Sequence, residues 1–69
     1  MQIAVVKIGD NLKRRRVRKA LTQEELARKA RLTTASVARI ERNETEPRMS
    51  TLRKLAKALD IDPAELVGD

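Results

Sequence analysis

Neither cysteine nor histidine occurs in this chain, and there is no phenylalanine, tyrosine or tryptophan. Without cysteine there is no disulfide and no thiolate metal site, which fits a reducing compartment. Without histidine as well, the common zinc ligands and the commonest general base are both missing. Without aromatic rings, a basic face has no anchor with which to settle on a membrane surface. Long apolar runs are also missing, so nothing approaches membrane-spanning length. The apolar start MQIAVV is too short for a signal peptide and lacks a small-residue cleavage pattern. These absences predict a soluble, cytoplasmic protein with no cofactor, no metal site and no membrane partner. Sixty-nine residues allow one domain, marginal in stability because so short a chain buries a limited share of its surface and has no covalent staple.

What the chain has in excess is positive charge. Sixteen Lys and Arg stand against ten Asp and Glu, a net charge of +6. The excess is concentrated: Lys7, Lys13, Arg14, Arg15, Arg16, Arg18 and Lys19 face Asp10 alone between Lys7 and Ala20, and the remainder is balanced. Such a segment fits a polyanion partner, and it also fits a solvated helix face.

Hydrophobic spacing predicts helices from about Val5 onward. Val5, Ile8 and Leu12 share one face of a first helix over Ile8–Lys19, with Arg16 next on that face. Thr22-Gln-Glu-Glu25 is a capping box that opens a second helix with Leu26, Ala27 and Ala30 inward. Thr33 caps a third helix with Val37 and Ile40 inward, and Asn43 is a suitable left-handed stop. A fourth helix covers Met49 to Leu59 on the stripe Leu52, Leu55, Ala56 and Leu59. Asp62-Pro63-Ala64-Glu65 opens a short fifth helix carrying Leu66 and Val67. The expected division is a segment 1–7 that is extended, helical or disordered, a domain over 8–67, and a loose tail of Gly68 and Asp69.

The stretch LTQEELARKARLTTASVARIERN, from Leu21 to Asn43, is the most informative. It reads as two short helices joined by a tight turn, with Leu32 placed to plug the gap between them. Ala35, Ala38, Arg39 and Arg42 lie on the outward side of the third helix, and Thr34 sits at its edge. Small residues let a helix backbone approach a surface closely, and an arginine beyond them can fork to the O6 and N7 of a guanine. The alanines are equally read as good helix formers. The first amides of the second helix and the Gln23 side chain can hold a phosphate oxygen. The phosphate set is read as Thr22, Gln23, Thr33, Arg42 and Asn43. Arg16, on the apolar face of the first helix, and Glu41, at the inner edge of the third, would each be expensive to bury alone. Together they make a partly buried ion pair; separately they would be two snorkelling side chains.

TQEELA, the spacing between the second and third helices, RIERN, and PRMSTLRKLAKALDIDPAEL together resemble the helix-turn-helix domains of the Cro and phage-repressor (XRE) type. The resemblance runs from about Ile8 to Val67. It implies an all-α, compact five-helix bundle of the lambda-repressor kind, binding double-stranded DNA as a homodimer on a palindromic operator. By that resemblance Gln23 matches a phosphate-contacting glutamine. Thr34, Ala35, Ala38 and Arg39 match base-reading positions. Arg16 and Glu41 match a recurrent interhelical salt bridge. The chain departs from the pattern at Ala20 and Arg31, where glycine is frequent, and a slightly different turn is expected at both. Asn43 replaces another glycine, and Arg15 stands where many members are aliphatic.

The function expected is therefore sequence-specific transcriptional regulation by a nucleoid-associated protein, in the format of small phage repressors and restriction-modification controllers. An enzyme is not supported: there is no His, Cys or Tyr, and no cluster of carboxylates. The other reading is an antitoxin-type module that binds DNA and also holds a toxin or other regulatory protein. The dimer contact is expected around Ile61 to Val67, with Met1 to Val6 as the competing site.

Overall fold

A computed structural model describes residues 8–68. The expectations placed on residues 1–7 and on Asp69, including Val5 on the first helical face, Lys7 in the basic stretch and Met1 to Val6 as an interface, lie outside the described residues. The chain forms five helices, α1 (Ile8–Arg18), α2 (Gln23–Ala30), α3 (Thr34–Glu41), α4 (Met49–Leu59) and α5 (Ala64–Val67). There is no strand among the described residues.

The core is assembled from the predicted stripes. Leu12, Leu26, Val37, Leu55, Leu59 and Leu66 are fully buried, each worth about 1.5–3 kcal/mol of apolar transfer. Ala27, Ala30 and Ala56 are buried between them, and their small side chains let the helices pack closely. α2 packs on α3 and on α4, while α1 packs on α3 and on α5. Leu32 is half-buried against the core, as expected of a plug at the turn.

The N-terminal caps follow the sequence. The Thr22 hydroxyl accepts from the Glu25 amide at 3.0 Å, and the Glu25 carboxylate accepts from the Thr22 amide at 2.8 Å. Thr33 Oγ1 accepts from the Ser36 amide at 3.1 Å. The Asp62 carboxylate accepts from the Ala64 amide at 2.8 Å, and Pro63 already has helical dihedrals.

The C-terminal turns share one design. Ala20, Arg31, Asn43 and Asp60 all adopt the left-handed conformation, with φ between 57° and 59°. In each case the next residue donates its amide to the carbonyl five positions back: Leu21 to Arg16, Leu32 to Ala27, Glu44 to Arg39 and Ile61 to Ala56. Leu21, Leu32 and Ile61 then fold onto the core, completing the hydrophobic contact of a Schellman cap. This corrects the expectation at Ala20 and Arg31. The turn keeps the form a glycine would give, and the Cβ strain of about 1–2 kcal/mol is borne by the packing beyond it.

The tail expectation also changes at Gly68. Its amide donates to the Ala64 carbonyl at 2.7 Å. The Asn11 side chain on α1 donates to the carbonyls of Leu66 at 2.8 Å and Gly68 at 3.2 Å, tying α5 to α1.

Candidate nucleic-acid interface

α3 presents the outward face read from the sequence. Val37, Ile40 and Glu41 are buried, Thr34, Ala35 and Arg39 are exposed, and Ala38 is half-buried at the edge. Thr33 at its N-cap donates its hydroxyl to Ser36 Oγ at 2.9 Å as well as accepting from the Ser36 amide. That hydroxyl is fully engaged, so of the expected phosphate set Thr33 retains no free side-chain donor.

The Arg16–Glu41 pair is present and bidentate. Arg16 Nε lies 2.6 Å from Glu41 Oε2 and its Nη2 lies 3.1 Å from Oε1. Nη1 donates to the Leu21 carbonyl at 2.7 Å. The Arg16 side chain is 12% exposed and that of Glu41 3%, which excludes two separate snorkelling chains. Sequence reasoning missed the third member. Gln23 Nε2 donates to Glu41 Oε1 at 3.0 Å, so the start of α2, the end of α1 and the end of α3 meet at one carboxylate. An amide nitrogen carries two protons, and the one left over on Gln23 remains available to an anion.

Asn43 is reassigned from the phosphate set. Its Oδ1 accepts from the Gly9 amide at 3.0 Å and its Nδ2 donates to Asp10 at 3.2 Å. A side chain turned to α1 in this way braces the bundle. A Cβ on Gly9 would come within 2.2 Å of the Ile40 carbonyl oxygen and 2.8 Å of that of Glu41, so only glycine permits this approach of α1 to the end of α3. No periodicity signals either contact.

Arg42 is exposed and paired with Glu44, Nε to Oε2 at 2.7 Å. Its guanidinium holds the Glu44 carboxyl below the usual carboxylate range, through that hydrogen bond and then its charge, with Arg39 adding to the effect. An incoming phosphate must compete with Glu44 for Arg42. The Thr22 hydroxyl is held in the α2 cap, where it accepts from the Glu25 amide and, after the Thr22 backbone amide, helps to hold the Glu25 carboxyl below its usual value.

On the other flank of α3 lies an open groove of about 410 Å³, bounded by Ser36, Arg39, Thr45, Arg48, Ser50 and Lys54 among others. It runs to the start of α4, whose N-cap, Arg48, makes no side-chain capping bond. The first amides of α4 are therefore open to an external acceptor. The signal was visible in the sequence as an arginine where a Ser, Thr, Asp or Asn cap belongs.

Residues 12–66 match the family model described as Helix-turn-helix. The chain belongs to this family. Among helix-turn-helix relatives, the immunity repressor of Bacillus phage phi105 is 40% identical over 62 residues, which are 90% of this chain and 43% of that repressor. The chain thus spans less than half the length of that relative. The restriction-modification controller protein C.AhdI from Aeromonas hydrophila has the same fold, with a TM-score of 0.85 and 41% identity over 88% of this chain and 92% of that one. The P22 c2 repressor, solved in complex with a synthetic operator, has a TM-score of 0.84 and 27% identity over 96% of this chain and 97% of that one. These relatives are regulators and repressors rather than enzymes. No helix among the described residues is long and apolar enough to cross a membrane.

Proposed function

We propose that the chain is a sequence-specific double-stranded DNA-binding transcriptional regulator that acts as a homodimer on a palindromic operator, with α3 in the major groove. The observation that carries this reading is α3 itself. Its inner face is held by the core and by the Arg16–Glu41–Gln23 cluster, while its outer face presents small residues beside the exposed guanidinium of Arg39. The P22 c2 repressor, which has this fold, is solved on an operator. In this reading Thr34, Ala35 and Ala38 line the base edges, and Arg39 reaches a guanine. One strand's phosphates meet Thr22, Gln23 and Arg42; the other strand's meet the open α4 amides with Arg48 and Lys54. Two protomers would place their recognition helices about 34–36 Å apart, one turn of DNA.

The dimer contact falls to the segment Ile61 to Val67, although it offers less apolar surface than its sequence promises. Leu66 is fully buried and Ile61 half-buried in the protomer's own core, leaving Val67 at 37% exposure. The contact is therefore small, and pairing is expected to be completed on DNA.

Selection of bound sites from a random duplex library, followed by ultracentrifugation on the selected site, tests the reading. The expected result is a two-fold-symmetric site, two protomers per duplex, and affinity falling by orders of magnitude between low and moderate salt. Arg39→Ala should cost about 1–3 kcal/mol on the selected site and little on scrambled DNA. No enriched sequence, or one protomer per site, would overturn it.

A further inference from the structure

The second half of α2 and the second half of α4 enclose a groove that shares only Lys54 with the DNA contacts proposed above. It is open, about 630 Å³, and lined by Lys29, Ala30, Arg31, Lys54, Lys57 and Ala58. Four cations and no carboxylate line it. The ion pairs among the described residues lie elsewhere, at Arg15–Glu65, Arg16–Glu41 and Arg42–Glu44. Four like charges around one concavity raise the local potential and concentrate anions there.

The lining separates this groove from the one beside α3. That one has four hydroxyls, from Ser36, Thr45, Ser50 and Thr51, beside the apolar Leu32, Ile40 and Pro47, carries the Glu46 carboxylate, which repels an acidic partner, and ends at open helix amides, which suit a phosphate. This one is floored by alanine, with Ala30 buried and Ala58 half-buried. A phosphodiester has no aliphatic group to cover alanine methyls, whereas a peptide of alternating carboxylates and aliphatic side chains has both parts. Placement agrees. α3 contributes no lining residue, and Lys57 lies about 12 Å along the axis from the α4 N-terminus at 1.5 Å per residue.

We infer that this groove docks an acidic protein segment carrying an aliphatic residue between its carboxylates. The aliphatic side chain sits on Ala30 and Ala58, and the carboxylates pair with Lys29, Arg31 and Lys57. Such a partner can be held while α3 is engaged elsewhere.

The probe is a fluorescein-labelled peptide of five Asp-Leu-Glu repeats, followed by anisotropy on DNA-free protein at about 0.15 M salt, where exposed charges beyond about 8 Å are screened. A peptide of five Asp-Ser-Glu repeats carries the same charge without the aliphatic group. The expected result is binding of the leucine peptide at least tenfold tighter than the serine peptide. Lys29→Gln with Lys57→Gln should weaken it at least tenfold, while Lys13→Gln with Arg53→Gln, an equal loss of charge elsewhere, should weaken it less than threefold. Lys54 borders both grooves and is left intact. Amide shifts of the wild-type protein on adding the peptide should centre on residues 29–31 and 54–58, a readout independent of any variant's folding. Equal binding of the two peptides, equal effects of the two double variants, or shifts centred elsewhere would overturn the proposal. Displacement of the peptide by scrambled duplex DNA would overturn it too, assigning the groove to nucleic acid. Because the peptide, variant and amide-shift measurements are made without DNA, their failure leaves the operator experiment unaffected.

Discussion

The seams on either side of the helix-turn-helix are built from different chemistry. The α2–α4 seam is hydrocarbon, with Leu26, Ala27, Ala30, Leu52, Leu55, Ala56 and Leu59 all buried. The α1–α3 seam adds a polar, directional layer to the buried Leu12 of α1 and the buried Val37 and Ile40 of α3. That layer is the Arg16–Glu41–Gln23 cluster, the Asn43 contacts to Gly9 and Asp10, and a backbone approach that admits only glycine. Hydrocarbon packing supplies free energy with little demand on orientation. Hydrogen bonds are weak in net stability and strict in geometry. The first seam accordingly supplies most of the stability, and the second fixes where α3 stands.

The largest expected effect tests the polar seam. Arg16→Ala leaves Glu41 buried without its partner and should cost about 3–5 kcal/mol, whereas Arg14→Ala and Arg18→Ala, at exposed positions, should stay within about 0.5 kcal/mol. Equal melting temperatures for the three variants would break the comparison. It is sharpened by Arg16→Met with Glu41→Leu. That pair should recover most of the lost stability while leaving Gln23 unheld, so operator affinity stays low in a well-folded protein. On the hydrocarbon side, Leu55→Ala should cost about 2–5 kcal/mol and lower the melting temperature steeply. Below that temperature, site-specific binding should persist, as gel shifts on the selected duplex would reveal.

A smaller effect, of opposite sign, is expected at the turns. Ala20→Gly relieves a left-handed alanine and should stabilise by about 0.5–1 kcal/mol, after allowing for the looser unfolded chain; chemical denaturation measures it. The smallest concerns acid. The Glu25 carboxyl is held below its usual value, first by the Thr22 backbone amide and then by the Thr22 hydroxyl. A depressed folded-state pKa gives stability that is present above the unfolded value of about 4.3 and is lost as pH falls through the folded one. Glu25→Gln should therefore flatten part of the decline in melting temperature below that pH. An unchanged slope would remove the cap from the acid response.

Much of this was legible in the sequence. All five helices fall where the periodicity and caps put them, because the 3.6-residue stripe and the Thr22, Thr33 and Asp62 caps are local signals. Arg16 and Glu41 could be paired because each was costly to bury alone. The sequence was silent where contacts join distant segments without a hydrophobic pattern. Gly9 meets Asn43 across 34 positions, and Asn11 meets Leu66 across 55. Asn43 looked like a loop residue free to meet phosphate because its own neighbours give no reason for it to turn back to α1. Arg31 looked unsuited to a left-handed turn because glycine is frequent there; the plug at Leu32 was legible, but not that its packing would offset the Cβ strain at Arg31.

The hydrogen bonds that hold α3 run from its ends and its inner edge, through Thr33, Ser36, Glu41 and Asn43. The side chains that would read bases stand outside that frame. In the proposed reading, recognition would therefore be mounted as a replaceable cassette. Substitutions at Thr34, Ala35 and Arg39 would change which operator is preferred without moving the backbone that presents them, and drift in operator sequence would be followed by one or two codons. The Gly9 contact is the opposite kind of position, closed to variation because its tolerance is set by backbone atoms on both sides. A lineage of such regulators should diversify at the first set of residues and stay fixed at the second.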